Sequence, residues 1–249
     1  YDEDDGSDDK TGSHNLVVGS DHTYSSYGGL LGGYDNATTN IFSTVSGGRA
    51  GIASGQYASI TGGWFGTAIG HYSSVAGGYE NTADGDYSSV TGGRGNLAEG
   101  QFTAITAGYE NRATASGASV SGGYQNTAAD SYASVSGGIL VEANGLYSWG
   151  AGGRANKANG DYASVSGGWA NSAIGNYSSI SGGESGVTIG QASSVSGGAE
   201  NTADGTQSSV TGGYRNTASG TRATVLGGNS QNAVSYTHLR AHETTDNLV

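Results

Sequence analysis

Residues 162–176 read YASVSGGWANSAIGN, and variants of this 15-residue unit fill most of the chain. The most regular feature of the unit is its pair of adjacent glycines. From Gly33 to Gly228 the second glycine recurs every 15 residues without a slip, and only at Ala107 is the first one replaced. A fixed short period over so long a stretch is typical of one small structural unit stacked on itself.

Two segments of each unit alternate polar and apolar residues with period two, which is the pattern of β-strands. One segment is centred on a valine, as at Val165, and the other on an alanine, as at Ala173. Glycine at this density disfavours a helix, because each glycine costs about 1 kcal/mol relative to alanine. The sequence therefore predicts an all-β protein, a parallel β-solenoid or β-roll with one 15-residue, two-strand coil per rung and about 14 rungs.

In such a stack, equivalent residues of successive rungs lie about 4.8 Å apart and form a column along the stack. We expect the valine and alanine columns to point inward and to form a thin core. An asparagine column lies near one turn, and we expect its amides to hydrogen-bond along the stack, as in other cross-β ladders. Its members are Asn81, Asn96, Asn111, Asn126, Asn156, Asn171, Asn201 and Asn216.

Small hydroxyl side chains flank the valine column on both sides. The residue before the valine is Ser or Thr in 11 of 13 rungs, and the residue after it is Ser or Thr in 10 of 13. We call these two columns the hydroxyl face, and its candidate contact residues are Ser59, Thr61, Ser89, Thr91, Ser119, Ser121, Ser134, Ser136, Ser164, Ser166, Ser179, Ser181, Ser194 and Ser196.

The restriction of these columns to small side chains predicts that a flat surface packs against the hydroxyl face. A second copy of the chain and the surface of ice are both candidates, and the remaining explanation is that Ser and Thr simply suit exposed strands. Only 6 of the 21 hydroxyl residues are Thr, and Trp149 interrupts the pattern, so a second copy is favoured over ice.

Large side chains occupy the turn four residues after the valine. We call this set the corner column, and it contains Tyr34, Arg49, Trp64, Tyr79, Arg94, Tyr109, Tyr124, Arg154, Trp169 and Tyr214. Tyr, Trp and Arg are the residues on which contact hot spots are built, so this column is a candidate surface for a protein or glycan ligand.

A second set of rings lies three residues before the valine. This aromatic column contains Phe42, Tyr57, Tyr72, Tyr87, Phe102, Tyr132, Tyr147, Tyr162 and Tyr177. Stacked rings at a corner can shield the turn without binding anything.

The unit SVTGGRGNLAEG at 89–100 resembles the head repeat of trimeric autotransporter adhesins of the YadA type. That repeat runs Ser-Val-Ala-Ile-Gly, then Ser or Asn, then Ala-x-Gly, and the resemblance covers residues 30–233. It implies a left-handed parallel β-roll, a homotrimer and display on a bacterial outer surface or outside the cell. The family's Ile is glycine here, as at Gly92, which predicts a thinner core. The alanine half of the unit also resembles repeats of grass-type ice-binding β-rolls.

Charge and composition restrict the possible functions. The 249 residues carry a formal charge of −12, whereas nucleic-acid binding requires clustered Lys and Arg. The chain has no Cys, which excludes disulfides and thiolate sites. No apolar run approaches the length of a membrane span.

No group of residues indicates catalysis, cofactor binding or metal binding. His14, His22 and His71 fall in different rungs, and His238 and His242 have zincin spacing without the required Glu. The expected function is therefore non-enzymatic: an adhesin head or structural repeat of a bacterial surface or secreted protein, with ice binding as the alternative.

Three segments follow from the limits of the repeat. We expect 1–13 to be an acidic, disordered lead-in, 14–234 to be the solenoid, and 235–249 to lie outside the repeat. The last segment resembles translated sequencing-adapter read-through. The absence of Met predicts that the chain is a fragment or a processed product.

Overall fold

The computed structural model of the chain describes residues 10–234 and the backbone of 238 and 239. Its internal contacts divide the chain into two compact units, Tyr1–Gly137 and Gly138–Val249. The described residues of both units form short parallel strands and no helix, with about 15 turns in total. The predicted all-β parallel β-solenoid is confirmed.

In the first unit, odd-numbered strands form one parallel sheet and even-numbered strands form the other. The strands are β1 (Leu16–Ser20), β2 (Thr23–Tyr24), β3 (Leu30–Tyr34), β4 (Ala37–Thr38), β5 (Thr44–Val45), β6 (Ile52–Ala53), β7 (Ser59–Ile60), β8 (Thr67–Ala68), β9 (Ser74–Val75), β10 (Thr82–Ala83), β11 (Ser89–Val90), β12 (Leu97–Ala98), β13 (Ala104–Ile105), β14 (Arg112–Ala113), β15 (Ser119–Val120), β16 (Thr127–Ala128) and β17 (Ser134–Val135).

The register of the first unit changes once near its start. Val45 pairs with Ile60, which is the expected 15-residue step, but Leu31 pairs with Val45 at a step of 14. Isolated bridges begin at Lys10, inside the stretch predicted as a lead-in, and the acidic residues that precede it lie outside the described residues.

The second unit has the same two-sheet arrangement. Its strands are β18 (Glu142–Ala143), β19 (Trp149–Gly150), β20 (Lys157–Ala158), β21 (Ser164–Val165), β22 (Ser172–Ala173), β23 (Ser179–Ile180), β24 (Val187–Thr188), β25 (Ser194–Val195), β26 (Thr202–Ala203), β27 (Ser209–Val210), β28 (Thr217–Ala218), β29 (Thr224–Val225), β30 (Asn232–Ala233) and β31 (His238–Leu239).

Strand β31 falls in the segment predicted to lie outside the repeat. Its backbone pairs with β29 in parallel, with Leu239 opposite Val225. The rest of that segment lies outside the described residues, and its interpretation as read-through remains a prediction.

The core is one thin layer of small side chains. Val165 and Ala173 are buried, as is Ala163 two residues before the valine. The largest side chains with complete burial are no bigger than leucine, isoleucine and one histidine. A valine and an alanine contribute only about 2–3 kcal/mol per rung by buried area. Hydrogen bonds between coils must therefore supply much of the stability.

The asparagine column supplies some of these hydrogen bonds from inside the coil. The Asn171 Nδ2 donates to the carbonyl of Gly167 at 2.9 Å and to that of Gly183 in the next coil at 3.0 Å, while its Oδ1 accepts from the Gly186 N–H at 2.8 Å. The prediction that these amides hydrogen-bond along the stack is confirmed. The partners are mostly backbone groups rather than neighbouring amides, because buried backbone N–H and C=O groups need partners at the turn.

Two corners of each coil are held by residues in the left-handed region, at Tyr162 (φ 57°) and Ala170 (φ 55°) in one rung. This conformation is uncommon outside glycine. The N–H groups of these two residues therefore point in the direction opposite to those of the strand residues. Tyr162 donates to Leu146 and Ala170 to Arg154 in the preceding coil, whereas the strand residue Ser164 donates to Ser178 in the following coil. Each coil is therefore hydrogen-bonded in both directions.

The two glycines of the pair have different constraints. Gly93 has φ +89°, and a Cβ there would lie 2.3 Å from the Gly108 carbonyl oxygen in the next coil. A Cβ at Gly92 would meet no atom within 4 Å. This difference explains why only the first glycine of a pair is replaced in the chain, at Ala107.

We expect Gly93→Ala to lower the free energy of unfolding by at least ~2 kcal/mol, through strain and the clash with the next coil. The matched variant Gly92→Ala should change it by less than about 0.5 kcal/mol. Urea unfolding of the two variants and the wild type measures both values. Equal destabilisation by the two substitutions would contradict the distinction between the glycines.

Candidate interaction surfaces

The hydroxyl face lies on the odd-numbered sheet of each unit. Ser164 is half-buried and Ser166 exposed, and this pattern repeats from rung to rung. Pairing of β21, β23 and β25 sets Ser164, Ser179 and Ser194 in register. The structure therefore brings the predicted hydroxyl residues of each unit into two adjacent columns.

The hydroxyl face of the second unit is not uniform. Trp149, in β19, stands where other rungs have Ser before the valine, and it is 39% exposed. Leu226 stands where other rungs have Ser or Thr after the valine, and it is 47% exposed. Apart from Ala151, the other residues of the two columns in this unit are Ser or Thr.

The corner column of the first unit is a continuous ladder of bridged residues from Tyr34 to Tyr124. The Arg49 guanidinium lies 5.1 Å from the Tyr34 ring centroid and 5.4 Å from that of Trp64. Rings on both sides of a guanidinium hold it by cation–π attraction.

The same arrangement recurs three rungs later. The Arg94 guanidinium lies 5.1 Å from the Tyr79 ring centroid and 5.6 Å from that of Tyr109, and Tyr109 stacks on Tyr124 at 5.1 Å. The structure thus brings together all seven corner residues predicted in this unit.

In the second unit the corner column is interrupted. Arg154 and Trp169 are bridged neighbours, but Glu184 and Ala199 separate them from Tyr214. The Tyr214 ring instead lies under the guanidinium of Arg215, at 4.7 Å. The three predicted corner residues of this unit therefore do not form one ladder.

The aromatic column also forms a ladder. In the first unit, rings from Phe42 to Phe102 stack face to face with centroids 4.8–5.2 Å apart, until Gly117 interrupts the series. In the second unit Tyr162 stacks between Tyr147 and Tyr177. Because each ring covers its neighbour, mainly ring edges face the solvent.

One aromatic residue at the corner, Phe65, is not predicted by the repeat pattern. Phe65 stacks on Trp64 at 5.6 Å and is 43% exposed. It occupies the left-handed position after the corner column, where other rungs carry small or polar residues such as Ala50 and Glu80. A single ring in a non-aromatic column gives no periodic signal.

Carboxylates next to the corner column are held by hydrogen bonds. The pKa of Tyr34 is raised by its hydrogen bond to the Asp21 carboxylate, and that of Tyr109 by its bond to Glu110. The pKa of Glu110 is lowered, first by the Gln125 amide, which donates at 2.6 Å, and then by Tyr109. These groups are exposed, so such contacts contribute little to stability.

No protein-family model matches the chain, and no curated protein sequence matches it significantly.

The described part of the chain has no helix of the length and apolar character needed to cross a membrane. Within 10–234 there is also no group of three or more His, Cys, Asp or Glu placed to hold a metal ion. The fold defines the class of protein, a β-solenoid repeat protein.

Proposed function

We propose that the chain is a non-enzymatic repeat module of a bacterial surface or secreted protein, and that it acts as an adhesin head or structural spacer. The observation that carries the proposal is the corner ladder of the first unit, from Tyr34 to Tyr124, with its exposed rings and guanidinium groups in register. The resemblance of the repeats to YadA-type heads supports the placement outside the cell.

The stacking suits the corner ladder to binding. Arg49 is already immobilised between Tyr34 and Trp64, so contact with a ligand costs little additional side-chain entropy. Trp, Tyr and Arg supply most hot-spot energy in known interfaces. The proposed ligands are a matrix protein or a glycan.

Alanine at Trp64, Tyr79, Arg94 and Tyr124 should weaken binding to the ligand at least about tenfold, because each removes a large contact area. The matched control places alanine at four exposed residues in or directly after strands of the even-numbered sheet: Ile52, Ile69, Glu99 and Arg112. Surface plasmon resonance against a panel of matrix proteins and glycans measures binding, and thermal unfolding shows that both variants fold. Wild-type binding to no member of the panel, or equal binding by both variants, would contradict the proposal.

We further propose that the hydroxyl face packs against sister chains in a homotrimer. The support is that two adjacent columns of small side chains lie in register with their outer members exposed. Burial against a partner would also add to the thin core of each coil.

The specific observation that favours ice binding as a second candidate is the same pair of hydroxyl columns, which repeats at the strand spacing of about 4.8 Å. The excess of Ser over Thr and the exposed Trp149 count against it.

Substitution of Ser164, Ser179 and Ser194 by Lys tests both uses of this face. We expect a wild-type molar mass of three chains and a single-chain mass for the variant, since buried unpaired charge is costly. Lys at Ser172, Val187 and Thr202, on the other sheet of the same rungs, should leave the trimer intact. Light scattering measures the mass. A monomeric wild type that grows faceted ice crystals would favour the second candidate instead.

A further inference from the structure

We infer that the corner ladder of the first unit binds an acidic polysaccharide, with Arg49 and Arg94 contacting its carboxylate or sulfate groups. The inference rests on the proposed function, since it names the chemical class of ligand for the same surface. Three features of the two arginines carry it: the absence of an ion pair with any described residue, their position between two rings and their spacing.

Arg49 and Arg94 form no ion pair with a described residue, unlike three other cations of the protein. Arg112, Lys157 and Arg215 form ion pairs with Glu99, Glu142 and Glu200 at 3.0, 3.1 and 2.7 Å. Across residues 10–234, no carboxylate lies within ion-pair distance of Arg49 or Arg94.

Two acidic groups close to these sites accept hydrogen bonds from other residues. The Asp21 carboxylate accepts from the Tyr34 hydroxyl, next to Arg49. Glu110, next to Arg94, accepts from Tyr109 and from Gln125. Arg94 also lowers the pKa of Glu110 through its charge, but neither carboxylate lies within ion-pair distance of the arginine beside it, so each guanidinium can pair with an external anion.

Stacking fixes the orientation in which the guanidinium meets a ligand. The flanking rings cover the two faces of the group, whereas its N–H donors lie in its plane. The next residue in each rung is small, Ala50 after Arg49 and Gly95 after Arg94. With rings on two sides, the in-plane N–H donors are the part of the group that a ligand can reach, and such donors pair with a carboxylate or sulfate through two hydrogen bonds.

The spacing indicates an extended chain. Arg49 and Arg94 are three rungs apart along one column, which corresponds to about 14 Å. The preceding rung carries Tyr34 in one case and Tyr79 in the other, so the site repeats after 45 residues. A polymer with several anionic groups can bind both sites at once. Its affinity then rises, because the second contact forms within a complex that already exists.

The surface between the two arginines favours a sugar chain over a segment of protein. Trp64 and Phe65 provide an apolar surface there for the ring carbons of a sugar. The faces of Tyr79 and Tyr109 are covered by Arg94, and their exposed parts are edges and hydroxyl groups. Such a surface offers hydrogen bonds to a hydroxyl-rich chain but few places for an apolar side chain to insert.

The test measures retention of the wild type on immobilised polygalacturonate, dextran sulfate, neutral dextran and polyglutamate. We expect binding to at least one of the two acidic polysaccharides, weaker binding to the other matrices, and a loss of affinity with rising salt. The double variant Arg49→Gln, Arg94→Gln should bind at least about tenfold more weakly. The control variant Arg112→Gln, Arg215→Gln removes the same charge from cations that have Glu partners, and it should bind like the wild type.

Equal binding by the double variant and the control variant would overturn the inference. So would wild-type binding to polyglutamate that is tighter than to both acidic polysaccharides. If the wild type binds a matrix protein or neutral glycan through Trp64 but neither acidic polysaccharide, the inference fails and the proposed function stands. If it binds none of these ligands, both fail.

Discussion

Hydrogen bonding between successive coils, at a 15-residue register through most of each unit, is the constraint on which the rest of the unit depends. The strands that carry it are mostly two residues long, and the side chains inside the coil are small. Neither could hold a fold alone, because ordering each residue costs about 1–2 kcal/mol. Stability comes from repetition, with every coil bonded to the coil before it and the coil after it.

Several residue types serve this register directly. Gly93 lets the backbone pass close to the Gly108 carbonyl, where any side chain would collide. Asn171 bonds three backbone groups from inside the turn. Tyr162 and Ala170 turn their N–H groups back to the preceding coil. These residue types therefore recur in the repeat because the backbone geometry of the coil requires them, more than because of side-chain packing.

The same register creates the surfaces that we propose to be functional. A residue that recurs at one position of the repeat becomes a column, so a tyrosine and an arginine 15 residues apart become a stacked pair, as with Tyr79 and Arg94. Side chains that would be mobile on a loop are held by their neighbours in the column. A ligand that binds such a column meets groups already fixed at the spacing of the coils.

The glycine period was sufficient to predict the solenoid, its two sheets and the membership of each column, because strand register follows directly from a constant repeat length. It could not predict the left-handed corners, since Tyr162 and Ala170 are not residues that usually adopt that conformation. The 14-residue steps at the start of the first unit and at β31 lie at the edges of the glycine period, and the stacking of Phe65 on Trp64 is a single event that leaves no periodic trace. The corner ladder was predicted as a column, but the position of the Arg49 and Arg94 guanidinium groups between two rings follows only from the three-dimensional structure.

Two deletions within the first unit test the central claim about register most directly. Removal of 76–90 takes out one whole coil and joins Val75 to Thr91, so every column continues. Removal of 76–82 joins Val75 to Ala83 and exchanges the two sheets for the rest of the unit. Urea unfolding should give one cooperative transition for the whole-coil deletion, with most of the wild-type free energy, and no cooperative transition in that unit for the shorter deletion. Equal tolerance of the two deletions would contradict the account.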